Sequence, residues 1–141
     1  MNPIDTNSAY ELARVFPVTP EILYNSIIDS TILKQIWGVQ SISVDARPEG
    51  KARAVYRIGE QNWDFTITYK EVAPYEKLRW IVNFDNYPTK ETRVAILFNR
   101  ISTGTELRLR MENFESIQER DGNRQAWEAA HAKLADILKS F

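Results

Sequence analysis

The sequence has no cysteine and only one histidine, His131. Without cysteine the chain has no disulfide bond, no zinc–thiolate centre and no cysteine nucleophile. A single histidine also falls short of the ligand set of a protein zinc site, so we expect neither a metal nor a cofactor. Because a chain without cysteine suits a reducing compartment, we expect the protein to be cytoplasmic.

Long apolar runs and an excess of charge of one sign are also lacking. No stretch approaches the ~20 apolar residues that span a bilayer, and the first eight residues lack the apolar segment of a secretory signal. Eighteen Lys and Arg residues against nineteen Asp and Glu residues give a formal net charge of −1. Nucleic-acid binding needs positive potential. We therefore expect neither nucleic-acid binding nor membrane insertion.

Glycine-rich phosphate loops, a nucleophile elbow and carboxylates at metal-binding spacing are missing as well. Their absence makes an enzyme less expected, although a cavity enzyme can assemble its site from scattered residues. What is present is an ordinary globular composition, with 43% apolar and 26% charged residues over 141 positions. This length and composition predict one domain over residues 1–141, with residues 1–8 as a flexible tail.

The N-terminal part shows one strand followed by two short helices. Residues 9–16 alternate loosely in polarity, which predicts a first strand. Thr19 precedes a proline, and its hydroxyl can cap the free N–H groups of a helix that starts there. Apolar residues recur with helical spacing over residues 22–28 and again over 32–37, and Gly38 ends the second helix.

From Ser41 onward the polarity period changes to two residues. Six short runs follow, among them one over residues 52–58 and one that starts at Trp63, and turns rich in proline, glycine or asparagine separate them. The pattern predicts an antiparallel meander with one packed face and one exposed face. The large residues predicted to point inward are Tyr56, Trp63, Phe65, Tyr69, Trp80, Phe84 and Phe98.

The last element is a long amphipathic helix with two candidate starts. Ser116 and Glu119 have the spacing of a capping box. Asp121-Gly122 reads equally well as a turn that would leave Asn123 as the cap, and we favour this later start. The predicted apolar stripe of the helix is Trp127, Ala130, His131, Leu134, Ile137, Leu138 and Phe141.

The order of elements predicts an α+β fold in which about seven antiparallel strands curve around the C-terminal helix. One helix cannot interdigitate with so many large inward side chains, which predicts an apolar pocket between sheet and helix. The alternative is that these side chains close-pack as core. The predicted ligand-binding residues are Trp37, Tyr56, Trp63, Phe65, Tyr69, Trp80, Phe84, Phe98, Arg100, Met111, Trp127 and His131.

Six segments carry a family resemblance: residues 10–16, 19–24, 36–38, 69–74 and 77–78, and Trp127. In these segments the chain resembles the START-like (SRPBCC) superfamily, and within it the family homologous to the activator of heat-shock-protein-ninety ATPase. The resemblance implies the helix-grip fold, also called birch-pollen-allergen-like. It also implies binding of lipids, hormones, polyketides or other hydrophobic molecules, and in a few members catalysis. The co-chaperone activity belongs to eukaryotic relatives with an additional domain and is not carried over.

Two polar residues on the inward side have alternative interpretations. His131 could bind a ligand or act as an acid–base group near neutral pH, or it could be a rim histidine whose hydrogen bonds a neighbour or water satisfies. Arg100 shares the inward parity of Phe98 and could hold a ligand carboxylate. Alternatively, its side chain reaches the rim and pairs with a nearby acid.

The outer face of the sheet is rich in cations, which could dock an acidic partner or form cross-strand ion pairs on a solvated face. Three functions follow: binding of a small hydrophobic or amphipathic molecule, a protein-interaction module for a chaperone or stress partner, or a small enzyme such as a cyclase or hydratase that uses His131 or Arg100. The outward cations are Arg53, Arg57, Lys70, Arg79, Arg93, Arg108 and Arg110.

Overall fold

A computed structural model describes residues 8–140, so the predictions for residues 1–7 and for Phe141 lie outside the described residues. Nine strands and three helices follow one another along this part of the chain. In order they are β1 (Ala9–Phe16), α1 (Pro20–Ile27), α2 (Ser30–Trp37), β2 (Ser41–Val44), β3 (Lys51–Val55), β4 (Arg57–Ile58), β5 (Gln61–Asn62), β6 (Phe65–Ala73), β7 (Lys77–Phe84), β8 (Tyr87–Ile101), β9 (Gly104–Glu112) and α3 (Ile117–Leu138).

Seven strands form one antiparallel sheet in the order β1-β9-β8-β7-β6-β3-β2. The first strand therefore pairs with the last, and β1 and β2 are the two edges. Buried and more exposed residues alternate most clearly on β3, β8 and β9, because successive side chains of a strand point to opposite faces. The predicted α+β class, with about seven strands, two short helices after β1 and a long C-terminal helix, is confirmed.

The run predicted as one strand over residues 52–58 is two strands, because the chain leaves the sheet at Tyr56. The Tyr56 N–H donates to Oδ1 of Asp64 over 3.0 Å, and the Tyr56 carbonyl accepts from the N–H of Trp63 over 2.7 Å. These bonds replace pairing with a neighbouring strand of the main sheet. β4 and β5 then form a separate two-stranded hairpin.

Thr19 and Gly38 cap the two short helices as the sequence predicts, and Asp29 is an additional cap. Thr19 Oγ1 accepts from the N–H of Ile22 over 3.3 Å at the start of α1. Asp29 does the same for Ile32 over 3.0 Å at the start of α2. Gly38 ends α2 with a φ of 67°, in the left-handed region that glycine adopts without strain.

The predicted start of the C-terminal helix near Asn123 is wrong. α3 begins at the earlier candidate, where Ser116 Oγ accepts from the N–H of Glu119 over 3.1 Å. The Glu119 carboxylate also accepts a hydrogen bond from Lys90 of β8, which holds the first turn against the sheet. Gly122 lies inside the helix, at a cost of about 1 kcal/mol relative to alanine that these contacts offset.

Two sets of helices cover the inward face of the sheet. α1 contacts β8 and β9 near one end, where Tyr24 packs edge-on against Phe98. α2 and α3, which contact each other, cover the rest of the inward face. Trp37 at the end of α2 contacts Phe65 of β6. Five positions of the predicted α3 stripe are buried, and Ile137 is half-buried. The buried five are Trp127, Ala130, His131, Leu134 and Leu138.

Candidate ligand pocket

A cavity of about 180 Å³ lies between the inward face of the sheet and the helices α2 and α3, and it is partly open to solvent. Strands β6 to β9 contribute alternate inward residues, and α3 contributes residues from its second turn onward. Seven of the predicted ligand-binding residues line this cavity: Trp37, Tyr56, Phe65, Trp80, Phe84, Met111 and Trp127. Their role in binding stays a prediction.

Two alanines on α3 explain why the helix does not fill the space beneath it. Ala126 and Ala130 both line the cavity on either side of Trp127. Residues four apart on a helix lie on the same face. Their methyl groups reach a much shorter distance toward the sheet than a leucine or phenylalanine would, so a gap remains between α3 and the inward aromatic rows.

The aromatic wall is held by ring-to-ring contacts between the helices and the sheet. Trp37 lies edge-on to Trp127, with 5.9 Å between ring centroids and an interplanar angle of 79°. Trp37 also contacts Phe65 at 6.1 Å, and Phe65 contacts Phe84 at 5.3 Å. Tilted and edge-on rings at these distances attract one another beyond simple area burial. The wall is therefore one connected cluster of rings.

Asn123 and Thr92 are polar residues of this wall. The Tyr10 hydroxyl donates to Oδ1 of Asn123 over 2.5 Å, which orients the amide and leaves its NH₂ group as a donor. Burial raises the pKa of Tyr10, so the phenol keeps its proton. Thr92 is buried on the inward side of β8, and its hydroxyl has no hydrogen-bond partner among residues 8–140.

No side chain of the cavity wall carries a charge within the described part of the chain. Sixteen residues line the cavity, and apart from Thr92, Asn123, Tyr56 and the three tryptophans they are wholly apolar. Near the start of α3, Lys90 and Glu119 are paired with each other. Arg124 and Glu128 of the same helix act on the pKa of Tyr10 but do not line the cavity. The wall therefore offers shape, aromatic faces and hydrogen bonds, and no counter-ion.

Tyr69 and Phe98 point inward as predicted, but they do not line the cavity. Tyr69 is fully buried and packs edge-on against Trp80, with 5.8 Å between centroids. Phe98 is buried against Tyr24 of α1. Both side chains are packed in the hydrophobic core, because other side chains fill the space at this end of the sheet. For these two residues the alternative prediction of a close-packed core applies.

The predicted inward position of Trp63 is wrong. β6 begins two residues later, at Phe65, and Trp63 lies in the link that follows the β4–β5 hairpin. Its ring stacks on Tyr87, which is 56% exposed, and lies edge-on to Phe84. The sequence keeps alternating in polarity through this link, but the link itself is not part of a strand.

The prediction that Arg100 faces the pocket is also wrong, and its alternative, pairing with a nearby acid, is confirmed. Arg100 has inward parity on β8 but lies at the far end of that strand, opposite Thr105. There its exposed guanidinium donates to Glu21 of α1 over 3.0 Å. The strand extends beyond the cover of α3 at this point, so an inward side chain meets α1 and solvent.

His131 is buried and lies beside the pocket without lining it. The side chain is 2% exposed and stands edge-on to the rings of Phe16 and Trp127. Its Nε2 has no hydrogen-bond partner among residues 8–140, and both interpretations of its role stay predictions. Burial, with a smaller contribution from the charge of Arg14, lowers the pKa of His131 to about 4, and the imidazole is neutral near pH 7.

Sequence reasoning missed Thr92 and Asn123 as wall residues. Thr92 has the inward parity of Val94 on β8, and this parity is the sequence signal that indicates its position. Asn123 lies one helical turn before Trp127 on the same face of α3. The mistaken late start made Asn123 a cap, and this hid its position on the cavity face.

Two further classes of site find no support in the described residues. No group of three or more histidine, aspartate or glutamate side chains there lies close enough to hold a metal ion. None of the helices that the structure describes combines the length and apolar character that a membrane crossing requires.

Solved structures with the same fold come from several bacteria and one parasite. The Chromobacterium violaceum protein CV1439 superposes with a TM-score of 0.79 at 21% identity, covering 92% of this chain and 96% of its own. The Nitrosomonas europaea protein NE0264 has the same TM-score and identity over 97% of both chains. At this level of identity the similarity shows the fold alone.

A third structure is described as an HSP90 activator from Plasmodium falciparum. It superposes with a TM-score of 0.64 at 19% identity over 76% of this chain and 74% of its own. No curated protein sequence matches the chain significantly. Residues 17–139 match the family described as "Activator of Hsp90 ATPase homolog 1-like protein". This match spans most of the sequence, and the chain belongs to that family.

Proposed function

We propose that the protein binds a small hydrophobic or amphipathic molecule in the cavity between the sheet and α3. One observation carries the proposal: about 180 Å³ of space with an aromatic wall persists inside a domain whose remaining inward face is close-packed. Concave, mostly apolar sites with a few polar groups are the usual form of small-molecule sites. Thr92 and Asn123 supply such polar groups.

The apolar lining of the cavity supports the same proposal. The cavity is partly open to solvent, and most of its wall is apolar. A ligand that fits the space removes this apolar surface from water, which is favourable by about 25 cal/mol per Å².

Thermal melting and native mass spectrometry across a library of aromatic and aliphatic compounds test the proposal. A ligand present at about one hundred times its dissociation constant should raise the melting temperature by roughly 5–10 °C. The proposal is wrong if no compound of the library shifts the melting temperature and none gives a ligand-bound ion in the mass spectrum.

A cavity-filling variant locates the binding. Ala130→Leu adds three carbons where the wall has only a methyl group, so it should weaken binding at least about tenfold while leaving stability within about 1 kcal/mol. Ala129→Leu is the matched control, because Ala129 is exposed on α3 and does not line the cavity. Loss of stability in Ala130→Leu with unchanged binding would place the ligand elsewhere.

A protein-interaction module of the chaperone or stress-response type is the second candidate, favoured by the family. The charge argument for it is weak, because six of the seven outward cations are engaged in ion pairs in the part of the chain that the structure describes. The pairs are Arg53 with Asp85, Lys70 with Glu49, Arg79 with Glu71, Arg93 with Glu112, Arg108 with Glu106 and Arg110 with Glu112.

Binding to an Hsp90-type chaperone, measured with purified proteins, tests this second candidate. Reversal of Arg53, Arg57 and Arg108 to glutamate should abolish binding if the outer face is the docking surface. Binding that is insensitive to the triple reversal removes the charge-based reason for it.

A cavity enzyme acting through His131 or Arg100 stays a prediction, and the geometry does not favour it. Neither residue lines the cavity, and Arg100 is paired with Glu21 at the other end of the sheet. Arg100→Ala should therefore leave ligand affinity unchanged.

We propose the cytoplasm as the site of action, since a chain without cysteine suits a reducing compartment.

A further inference from the structure

We propose that the cavity selects an uncharged aromatic molecule of one or two rings that carries a hydrogen-bond acceptor. The inference rests on the proposed function and names the chemical class of the ligand. Three properties of the wall lead to it: the volume it encloses, its lack of charge, and its surplus of hydrogen-bond donors.

The volume limits the size of the ligand. An engineered apolar cavity of roughly 150 Å³ in another protein takes up benzene, and pockets for drug-sized molecules begin at about 300 Å³. At about 180 Å³, this cavity holds a one-ring or compact two-ring molecule. Sterols, long acyl chains and tetracyclic compounds are too large to be enclosed in it.

The lack of charge excludes ions. No aspartate, glutamate, lysine or arginine is among the sixteen lining residues. A carboxylate or an ammonium group that is enclosed by such a wall gives up its hydration without meeting a counter-ion, and this loss is large for a buried ion. The Lys90–Glu119 pair near the start of α3 is already internally neutralised. The wall therefore favours neutral ligands.

The aromatic faces favour a flat ligand. Trp37, Phe65, Phe84 and Trp127 form one connected cluster of tilted and edge-on rings. An additional ring can join such a cluster in the same offset or edge-on geometry. A branched aliphatic molecule of equal volume makes fewer of these contacts.

The hydrogen-bonding groups of the wall are mainly donors. The bond from Tyr10 occupies Oδ1 of Asn123, so the amide presents its NH₂ group. Trp37, Trp80 and Trp127 line the cavity, and an indole nitrogen can only donate. A donor that a ligand covers in an apolar site needs an acceptor. A ring nitrogen or carbonyl oxygen on the ligand would supply one.

Quinoline and naphthalene test the acceptor, because they have the same shape and differ at one ring atom. Calorimetric or fluorescence titration at mildly alkaline pH, where quinoline is uncharged, should give about fivefold tighter binding of quinoline. Asn123→Leu and, separately, Thr92→Val are the wall variants. At least one of these two variants should lose the preference for quinoline over naphthalene and still bind naphthalene. Equal binding of both probes to the unmodified protein overturns the acceptor requirement.

2-Naphthoate and decanoate test the exclusion of anions and chains. Both should bind at least about tenfold more weakly than quinoline, and Ala130→Leu should weaken quinoline binding as a check on location. If either anion binds as tightly as quinoline and Ala130→Leu abolishes it, the selectivity is wrong while the cavity remains a binding site. If no probe and no library compound binds, the proposed function fails together with this inference.

Discussion

The hydroxyl of Tyr10 donates a 2.5 Å hydrogen bond to Oδ1 of Asn123, across 113 positions of sequence. Tyr10 lies on the edge strand β1, and Asn123 lies in the second turn of α3. The bond therefore joins the edge of the sheet to the helix that covers it. It also occupies Oδ1 of an amide that lines the ligand cavity.

Tyr10→Phe should lower the free energy of unfolding by about 1 kcal/mol, because it removes one partly buried hydrogen bond and keeps the ring. The ring contact with Phe114, at 5.7 Å between centroids, is retained. Urea denaturation measures the change. Tyr87→Phe is the control, since its side chain is exposed and its stability should match that of the unmodified protein within about 0.5 kcal/mol. A Tyr10→Phe protein as stable as this control would show that the bond contributes nothing.

His131 should make the domain less stable as the pH falls from 6.5 toward 4. Its folded pKa of about 4 lies below the ordinary value of 6.5, so in this range the unfolded chain binds the proton and the folded chain does not. The folded state loses on the order of 3 kcal/mol across the window, at about 1.4 kcal/mol per pH unit. Denaturation curves at several pH values measure this slope.

The variant His131→Leu isolates the effect, because leucine has no titrating group and leaves no unpaired Nε2. Its stability should be nearly independent of pH between 5 and 6.5, above the range in which carboxylates titrate. Equal slopes for the two proteins in this window would mean that His131 is not the group responsible. Glu71 and Asp85, whose pKa values are lowered by hydrogen bonds from Arg79 and Arg53, contribute only at lower pH.

Gly122→Ala should raise the free energy of unfolding by roughly 0.5–1 kcal/mol, because Gly122 lies inside α3 and alanine is the better helix former. A Cβ atom at this position meets nothing within 4 Å. Gly38→Ala is the contrasting variant, because Gly38 has a φ of 67° and an added side chain is strained there. Chemical denaturation should show opposite signs. A destabilised Gly122→Ala protein would favour a turn at Asp121-Gly122 and a later helix start.

Local signals predicted the N-terminal elements to the residue or nearly so. Thr19 and Gly38 act through hydrogen bonds and backbone angles of their own neighbours, so their effect can be read without knowledge of the fold. The inward parity of Trp80 and Phe98 was likewise predictable, because alternation is a property of any strand. Both are buried in the structure.

The predictions that fail concern positions where the local sequence pattern allows more than one interpretation. Ser116 and Asn123 were both acceptable caps, and the contact between Lys90 and Glu119 favours the earlier one. Trp63 continues an alternating run, but the bond from the Tyr56 N–H to Asp64 ends the strand before it. Each deciding contact joins segments that the sequence pattern does not connect.

The sequence by itself determined the class of fold, the order of its elements and the set of large side chains that turn away from water. Periodicity and capping are short-range effects, and they act before any tertiary contact forms. Only the tertiary structure decided which of those side chains surround space and which close-pack. Phe98 meets α1, whereas Phe65 and Trp80 face the alanines of α3, and this difference depends on which helix crosses which end of the sheet.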